Sequence, residues 1–495
     1  MDPLLRMDLD QFPDLLTEAA EVSAGYLAGI GSQPAAGRRI APDAGGLPGL
    51  RAAGEGASSA LRLFEDTVLP GLAASAGPRY LGFVTGGVTP AAVVGDWLAT
   101  ALDQNVVSKL DGSAGLALEA ETLEMLRVLL GLPPEFNGVF VSGATMSNFV
   151  SLALAREWAG RRYGVRVGEQ GVDSASSPVV FAGSPHSSVG KALSMLGLGR
   201  ASLRPVPLLS GREAMATDDL PALLDAETRP CVVVASAGTV NTGDFDSIDA
   251  IADLRASRDF WLHVDAAFGA FAGLSPATAS LLGGWQRADS ICVDLHKWLN
   301  VPYDSAVCFT RHRDLQLDVF ANTADYLSHP GDDPEPIHLA PENSHRWRAL
   351  PAWFSLTAYG AEGHREIVER NSRLAAELGA RIEASSSYEL LAPVRLNIVC
   401  FAPTATGAAA AADADADAGA GAEAEAEASD AAAAEVVAAV VEAVRDDGRT
   451  FVTPTKLFGR PAIRAAFSNW RTTGADLEVI WSALSAAAAG QVRSG

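Results

Sequence analysis

Short apolar runs rich in β-branched residues alternate with longer helical stretches between about residues 76 and 360. The apolar runs lie at residues 139–141, 179–181, 231–234, 260–264 and 306–309. Helical stretches such as 146–161 and 247–255 separate several of these runs. The alternation predicts an α/β domain in which helices cover both faces of a mostly parallel sheet. In such a sheet, ligands bind beyond the carboxyl ends of the strands.

The regions on either side of this domain have different patterns. Helical periodicity marks residues 1 to about 75, although a stretch rich in Gly, Pro and Ala interrupts it at 31–54. This segment is too thin to bury a core by itself, so we expect it to pack against another surface. Residues 361–495 have the pattern of a smaller α+β domain, with strand candidates at 394–401 and 462–468.

A low-complexity stretch of Ala-Asp and Ala-Glu units interrupts the small domain at about residues 404–434. It has no apolar periodicity, so it cannot bury the area that would offset the entropy lost on ordering. The composition therefore predicts a disordered acidic insertion on the surface, although alanine and glutamate leave a transient helix open.

Composition narrows the class of protein. A chain of 495 residues that is 48% hydrophobic and 20% charged can build a sizeable core. The net charge of −23 disfavours nucleic acid and anionic membranes as partners, because their phosphates would be repelled. No secretory signal and no run of ~20 apolar residues is evident, which favours a cytoplasmic protein. The cysteines, none of them in a CxxC pair, indicate buried thiols rather than disulfides or metal ligands, and no metal site is predicted: Cys231, Cys292, Cys308 and Cys400.

Two strand ends carry residues of complementary chemistry. Asp265 follows the run 260–264, and Lys297 follows a second short run at 291–293. Pyridoxal phosphate requires a lysine amine for a Schiff base and a carboxylate that keeps its ring nitrogen protonated. The pair is therefore a candidate for binding this cofactor, although a surface lysine and a strand-end acid are common on their own.

A turn of small residues at 142–145 (SGAT) follows a predicted strand and begins a predicted helix. Such a turn exposes backbone N–H groups, and the helix N-terminus carries partial positive charge. A phosphate would fit there, with the hydroxyls of Ser142 and Thr145 as further donors. A plain N-cap turn is the alternative.

Taken together, several short motifs resemble the group II pyridoxal-phosphate decarboxylases, the family of aromatic amino acid, histidine and glutamate decarboxylases. Each motif is weak alone, but their order and spacing are specific, and they extend over residues 78–473. The motifs are 78–83 (PRYLGF), 141–145 (VSGAT), 184–186 (SPH), 237–239 (AGT), 263–267 (HVDAA), 296–298 (HKW) and 469–473 (NWRTT).

The resemblance implies a fold, an assembly and a set of site residues. The fold is the aspartate aminotransferase-like α/β fold (type I), with a mixed, mostly parallel sheet and a smaller α+β C-terminal domain. The N-terminal segment would pack against the partner subunit of a homodimer. Lys297 would form the Schiff base, Asp265 would pair with the ring nitrogen, and His186 would stack over the ring and bear on proton transfer. Further cofactor contacts would come from Ser142, Gly143, Ala144, Thr145, Thr239 and His296.

Asp294 departs from the asparagine found in several members of that family. Because an acid near a phosphate would be repulsive, we expect Asp294 to point away from the phosphate or to bind it through water.

The implied reaction is decarboxylation of an L-amino acid to the amine and CO2. Tyr80, Phe83 and Trp97 suggest an aromatic substrate, although core packing explains Trp97 equally well. Animal aromatic decarboxylases have a tyrosine, implicated in protonating the substrate carbon, on a mobile loop, and here residues 327–345 contain none. His338 is a candidate replacement for this donor.

Within this fold, loss of the loop tyrosine is associated with decarboxylation-coupled oxidative deamination to an aldehyde. That reaction, or another reaction of a lysine-bound cofactor such as transamination or carbon–carbon lyase chemistry, is the alternative. A catalytically silent binding protein is disfavoured, because Lys297, Asp265 and His186 are all present.

Overall fold

The computed structural model describes residues 1–37, 47, 49–324, 331, 334–404 and 420–492. The described residues form an N-terminal helical segment, a large α/β domain and a smaller C-terminal domain. The predicted fold, a mixed and mostly parallel sheet with a separate small domain, is confirmed.

The N-terminal segment consists of helices that bury none of their described side chains. These helices are α1 (Pro3–Asp10), α2 (Phe12–Gly29) and α3 (Ala57–Thr67). Helix α2 contacts both α1 and α3. Large apolar side chains, among them Leu9, Phe12 and Leu16, remain exposed on α1 and α2.

The described residues of the large domain form a seven-stranded sheet with the spatial order β1-β7-β6-β5-β4-β2-β3. The strands are β1 (Asn137–Val141), β2 (Val179–Ala182), β3 (Leu203–Pro205), β4 (Cys231–Ser236), β5 (Trp261–Asp265), β6 (Ser290–Asp294) and β7 (Ala306–Thr310). Strands β2 to β6 are parallel, whereas β7 lies antiparallel between β1 and β6. In β4, Val233 faces one apolar cluster, and its neighbours Val232 and Val234 face another. The sheet is thus buried on both faces, which is why its strands have nearly continuous apolar sequences.

Helices cover both faces of this sheet. They are α4 (Pro90–Leu102), α5 (Ala114–Leu129), α6 (Ala144–Arg161), α7 (Val167–Gln170), α8 (Ser187–Met195), α9 (Leu220–Asp225), α10 (Ile248–Asp253), α11 (Leu295–Trp298), α12 (Arg313–Phe320) and α13 (Ala349–Glu383). Helix α6 is deeply buried and packs on β5, β6, β7 and α8. Helix α13 is interrupted at Gly360, whose φ of 58° suits glycine, and its second half reaches the small domain.

The small domain is an antiparallel sheet with the order β10-β11-β9-β8, packed against helices. Its elements are β8 (Tyr388–Leu390), β9 (Ile398–Pro403), α14 (Ala420–Asp447), β10 (Thr453–Leu457), β11 (Arg460–Ala466) and α15 (Gly474–Val492). Its core includes Phe401, Ile463 and Phe467. In the described chain, no helix has both the length and the apolar character needed to cross a membrane.

The structure corrects the prediction for the acidic stretch in part. Residues 405–419 lie outside the described residues, but from Ala420 onward the chain belongs to α14. Alanine and glutamate are strong helix formers. Further along the same helix, Val437, Val440 and Val444 pack into the small-domain core. Residues 420–434 are therefore a helical extension of an anchored helix and not a disordered insertion.

Candidate active site

Lys297 lies on α11, a single turn of helix that follows β6 directly. Its Nζ is 3.9 Å from Asp294 Oδ2 and 5.8 Å from the centre of the Phe268 ring. The backbone of Gly86 comes so close that a Cβ at this position would lie 1.6 Å from the Lys297 carbonyl oxygen. The lysine is thus held at the end of β6 by contacts that leave no room for a side chain at residue 86.

Asp265 ends β5, the strand next to β6 in the sheet. Its side chain is largely buried, and both carboxylate oxygens accept hydrogen bonds. Oδ2 accepts from Asn148 Nδ2 over 2.8 Å, and Oδ1 accepts from the Ala267 N–H over 3.3 Å. These bonds fix the orientation of the carboxylate at the strand end.

The turn before α6 presents small residues and the N-terminus of the helix to the same region. Gly143 is the N-cap of α6 and makes no side-chain capping bond. The N–H of Ala144 donates to Asp294 Oδ2 over 3.0 Å. The Asp294 carboxylate therefore does not point away, since it occupies the helix N-terminus, where an anion is favoured, and its contact with a phosphate through water stays a prediction.

His186 follows β2 and caps α8. Its Nδ1 accepts from the Ser188 N–H over 3.1 Å and lies 2.7 Å from Ser188 Oγ. Burial lowers the pKa of His186, an effect that the nearby Asp265 partly opposes. The ring is therefore expected to be neutral near pH 7.

Thr239 and His296 have their side chains fixed by neighbouring polar groups. Thr239 Oγ1 donates to Glu213 Oε2 over 2.7 Å. His296 Nδ1 accepts from the Ser305 N–H over 3.3 Å, and its Nε2 is 3.0 Å from the Asp294 carboxylate. The His296 ring also lies against Tyr303, with 4.3 Å between the ring centres.

All of the predicted site residues line one cavity of about 550 Å3. They are Ser142, Gly143, Ala144, Thr145, His186, Thr239, Asp265, His296 and Lys297. The cavity lies at the carboxyl ends of the parallel strands, as the sheet topology requires.

Sequence reasoning missed other residues of the cavity, of which Arg464 is the most prominent. It lies in β11 of the small domain, is buried, and donates from Nη1 to the Phe83 carbonyl over 2.8 Å and from Nε to the Val240 carbonyl. Burial lowers its pKa to about 10. An arginine inside an otherwise apolar strand is the signal that could have identified it. Tyr303, close to Lys297 in the chain, was also missed.

Several residues considered from the sequence lie elsewhere. His338 is fully buried outside the cavity lining, where its Nδ1 accepts from the Asn322 N–H over 3.2 Å. Tyr80 stacks on Phe451, with 4.8 Å between ring centres, and Trp97 is exposed on α4. Of the three aromatic residues proposed for the substrate pocket, Phe83 alone lines the cavity. Most of the loop at 327–345 before His338 lies outside the described residues.

The cavity fits pyridoxal phosphate. It combines a lysine amine, a carboxylate at a neighbouring strand end and the N-terminus of the 18-residue helix α6. These groups correspond to the aldehyde, the ring nitrogen and the phosphate of the cofactor. Among the described residues, no cluster of His, Cys, Asp or Glu could hold a metal ion.

Comparison with known proteins identifies the family. Residues 52–403, well over half of the chain, match the pyridoxal-dependent decarboxylase conserved domain. The chain belongs to this family. It is 30% identical to the aromatic-L-amino-acid decarboxylase of Bacillus atrophaeus over 331 aligned residues. The alignment covers 66% of this chain and 67% of that protein. The resemblance inferred from the motifs is confirmed, and the protein is a pyridoxal-phosphate-dependent amino acid decarboxylase, a carboxy-lyase.

The chain is also similar to a second curated protein and to a solved structure. The decarboxylase is 26% identical over 426 residues to 3,4-dihydroxyphenylacetaldehyde synthase of Aedes aegypti, with 80% of this chain and 79% of that protein covered. Its fold matches the crystal structure of Oryza sativa TDC with PLP and tryptamine, with a TM-score of 0.86 at 23% identity and 99% of each chain covered.

Proposed function

We propose that Lys297 binds pyridoxal phosphate covalently and that the enzyme decarboxylates an aromatic L-amino acid in this cavity. The observation that carries the proposal is the convergence of Lys297, Asp265 and the N-terminus of α6 on one cavity. When bound, the cofactor supplies an electron sink for the electrons left by the departing CO2.

Different residues of the cavity would bind different parts of the cofactor. The Asp265 carboxylate keeps the ring nitrogen protonated through a charge-assisted hydrogen bond. The amides and hydroxyls at residues 142–145 bind the phosphate at the helix N-terminus. His186 would stack on the ring, and the side chain of Thr239, whose Oγ1 donates to Glu213, would border it.

An aromatic substrate is supported by the side chains that line the cavity. Phe83 and Tyr303 both line it, yet 63% and 62% of their surfaces are exposed. Phe268 is a further ring in the lining, and the guanidinium of Arg464 provides a buried positive charge for a carboxylate. An aromatic substrate would bury apolar surface against these rings and could stack with them or pack edge to face. A screen of the common L-amino acids should therefore give highest turnover with Phe, Tyr, Trp or their hydroxylated forms.

The fate of the substrate carbon needs its own measurement. The segment 327–345 contains no tyrosine, and one relative is named as an aldehyde synthase. Simple decarboxylation yields one amine and one CO2. The alternative consumes O2 and water and yields aldehyde, CO2, ammonia and hydrogen peroxide. We favour the amine, and stoichiometric aldehyde with oxygen uptake would replace this reaction by the alternative.

A homodimer in the cytoplasm is the assembly and location that we propose. The four cysteines are unpaired and buried, which suits a reducing compartment. Exposed apolar residues lie on α1, α2 and α4, among them Phe12, Trp97 and Leu102. Exposed apolar patches commonly mark protein–protein interfaces, and a second copy of this chain would cover these helices.

Borohydride reduction of the enzyme with its cofactor tests the central claim. Peptide mapping should place the phosphopyridoxyl mass on Lys297, and Lys297→Arg should carry none. Label on another lysine, or on none, would overturn the proposal. Measurement of CO2, amine, aldehyde and ammonia with the same preparation tests the reaction.

A further inference from the structure

Asn148 is a fully buried amide on α6 that lies behind the cavity and is not part of its lining. Its side chain contacts three residues on two other elements of the fold, β5 and α8. Nδ2 donates to Asp265 Oδ2 over 2.8 Å and to Ser188 Oγ over 2.9 Å. Oδ1 lies 2.9 Å from His263 Nε2. The amide thus uses both donor hydrogens and its acceptor on side chains around the site.

The Asp265 carboxylate fixes the direction of the hydrogen bonds around Asn148. A carboxylate only accepts, so Nδ2 of Asn148 must face Asp265 and Oδ1 must face His263. His263 Nε2 therefore carries a hydrogen, and in a neutral ring Nδ1, which lies 2.9 Å from Ser290 Oγ and 3.2 Å from the Ser290 carbonyl oxygen, accepts from the hydroxyl. Trp261 Nε1 in turn donates to Ser290 Oγ over 3.1 Å. Burial lowers the pKa of His263 to about 4, which agrees with a neutral ring.

Ser188 links Asn148 to His186 by hydrogen bonds. Because Ser188 Oγ accepts from Asn148, its own hydrogen is available for His186 Nδ1, 2.7 Å away. The Ser188 N–H donates to the same nitrogen over 3.1 Å. With two donors directed at Nδ1, a neutral His186 ring carries its hydrogen on Nε2.

We propose that Asn148 is a positioning residue that holds His186 in the Nε2–H tautomer through Ser188 and at the same time orients the Asp265 carboxylate. The proposal rests on the proposed function, in which His186 and Asp265 contact the cofactor ring. One buried amide thereby couples these two groups, although it touches neither cofactor nor substrate.

The pH at which His186 becomes protonated depends on the hydrogen bonds that connect it to Asn148 through Ser188. An imidazolium needs a hydrogen on Nδ1, which would replace both bonds donated by Ser188. The charged groups that face His186 are Asp265, Lys297, Arg464 and Asp294. A change at residue 148 releases the Asp265 carboxylate as well as Ser188, so Ser188→Ala, which leaves the bond between Asn148 and Asp265 in place, shows how much of a shift in the titration of His186 comes through Ser188.

The test compares Asn148→Leu with a matched change on the same helix. Leucine has the branched shape of asparagine, although it is larger, and removes all three hydrogen bonds. Ser151→Ala is the control, because Ser151 is equally buried on α6 but its Oγ contacts Cys308 Sγ over 3.3 Å, outside the network. The full chain is labelled with ¹⁵N-histidine, and NMR follows the ring nitrogens of His186 against pH, assigned by their loss in His186→Gln.

We expect Nε2–H as the main tautomer of His186 in the wild type and in Ser151→Ala. In Asn148→Leu the Ser188 hydroxyl is released to accept from Nδ1–H, so both tautomers should appear and His186 should titrate at higher pH. Turnover with the cofactor bound should fall roughly tenfold or more, with little change in KM, because misplaced catalytic groups slow the chemical step.

A second pair of variants keeps the test open if Asn148→Leu does not fold. Ser188→Ala removes the hydroxyl link and should alter the tautomer, and Ser188→Thr should restore it. The same tautomer and titration in the wild type, Asn148→Leu and Ser188→Ala would overturn the proposal. A wild type that carries no cofactor on Lys297 would overturn the proposed function instead, and the tautomer measurement would still be readable.

Discussion

At the scale of single residues, the cavity contains a negative charge, on Asp294, that would repel the phosphate of the cofactor. Asp294 is buried and accepts the Ala144 N–H at the start of α6, where the cofactor phosphate is expected. Two anions at one helix N-terminus share the same positive potential and repel each other in a medium of low dielectric. The carboxylate is also 3.9 Å from Lys297 Nζ, so the charge of the lysine is partly compensated before cofactor binds.

We therefore expect Asp294→Asn to bind pyridoxal phosphate more tightly than the wild type, by roughly tenfold, since one removed charge repulsion is worth on the order of 1 kcal/mol. Titration of the cofactor-free enzyme by absorbance would give the dissociation constants. Glu362→Gln, which removes the same charge from an exposed site on α13, should leave the affinity unchanged. Weaker binding by Asp294→Asn would mean that the carboxylate mainly orients Ala144, His296 and Lys297.

Replacement of Asp265 separates cofactor binding from catalysis. In Asp265→Asn the amide can still contact the ring nitrogen but cannot keep it protonated, so the electron sink weakens. We expect bound cofactor to remain while turnover falls roughly a hundredfold or more. Cofactor content by mass spectrometry and the rate of CO2 release measure the two effects. Turnover near that of the wild type would show that Asp265 is not the partner of the ring nitrogen.

A buried glutamate outside the cavity predicts how stability depends on pH. Burial raises the pKa of Glu119, on α5, to about 8, and the nearby Arg348 only partly opposes this. Between the ordinary pKa near 4.5 and about 8, the folded state holds a proton that the unfolded state has released. The free energy of unfolding must therefore fall as pH rises through this range.

Glu119→Gln should flatten this slope, because glutamine is neutral at every pH. The difference from the wild type should grow to a few kcal/mol at most above pH 8, since one pKa unit corresponds to about 1.4 kcal/mol. Urea unfolding at pH 5 and at pH 8.5 would measure it, with Glu121→Gln, an exposed site on the same helix, as control. Equal slopes in wild type and Glu119→Gln would show that Glu119 is ionised in the folded protein.

The residues that the sequence identified share a recognisable local context. Asp265 and Lys297 each follow an apolar run, and residues 142–145 form a turn between a strand and a helix, so topology alone brings them to one edge of the sheet. Arg464 and Asn148 could not be found in this way. Arg464 reaches the cavity from the small domain, across a separation in sequence that no local pattern encodes, and Asn148 acts through contacts that depend on packing of α6.

At the scale of elements, the apolar runs predicted where strands lie but not how they are oriented. The run at 306–309 is β7, which is antiparallel to its neighbours. A strand that is buried on both faces has a continuous apolar sequence in either direction, so its pattern carries no orientation. Composition was likewise ambiguous in the acidic stretch, where the same Ala and Glu content suits an unfolded segment and a helix.

Helix α14 provides a test of which part of that stretch supports the fold. Deletion of residues 406–429 with a short Gly/Ser linker should leave turnover and melting temperature nearly unchanged, because the buried residues among the described side chains of α14 begin at Val437. Val440→Ala should instead cost roughly 1–3 kcal/mol through lost apolar contacts, whereas the exposed Val436→Ala should cost little. A large loss of stability or turnover on deletion would show that the acidic segment packs or regulates.

At the scale of the whole molecule, helix α4 has one buried face and one apolar face that is exposed. Ala92, Gly95 and Ala99 are buried on the side that meets α13. The opposite side carries Val94, Trp97, Leu98 and Leu102, which we call the α4 patch and which are 52%, 45%, 40% and 51% exposed. An apolar face of this kind on an otherwise acidic protein is better explained by a self-complementary interface than by solvent exposure.

The assembly should therefore depend on the α4 patch. We expect the wild type to have twice the chain mass in light scattering after size exclusion, and the double variant Trp97→Glu with Leu102→Glu to have the mass of one chain, because buried charges disfavour an apolar interface. Val128→Glu, at an exposed apolar site on α5, is the matched control and should stay dimeric. A wild type that is monomeric at micromolar concentration with full activity would contradict this prediction, and a dimeric double variant would place the interface on the N-terminal helices instead.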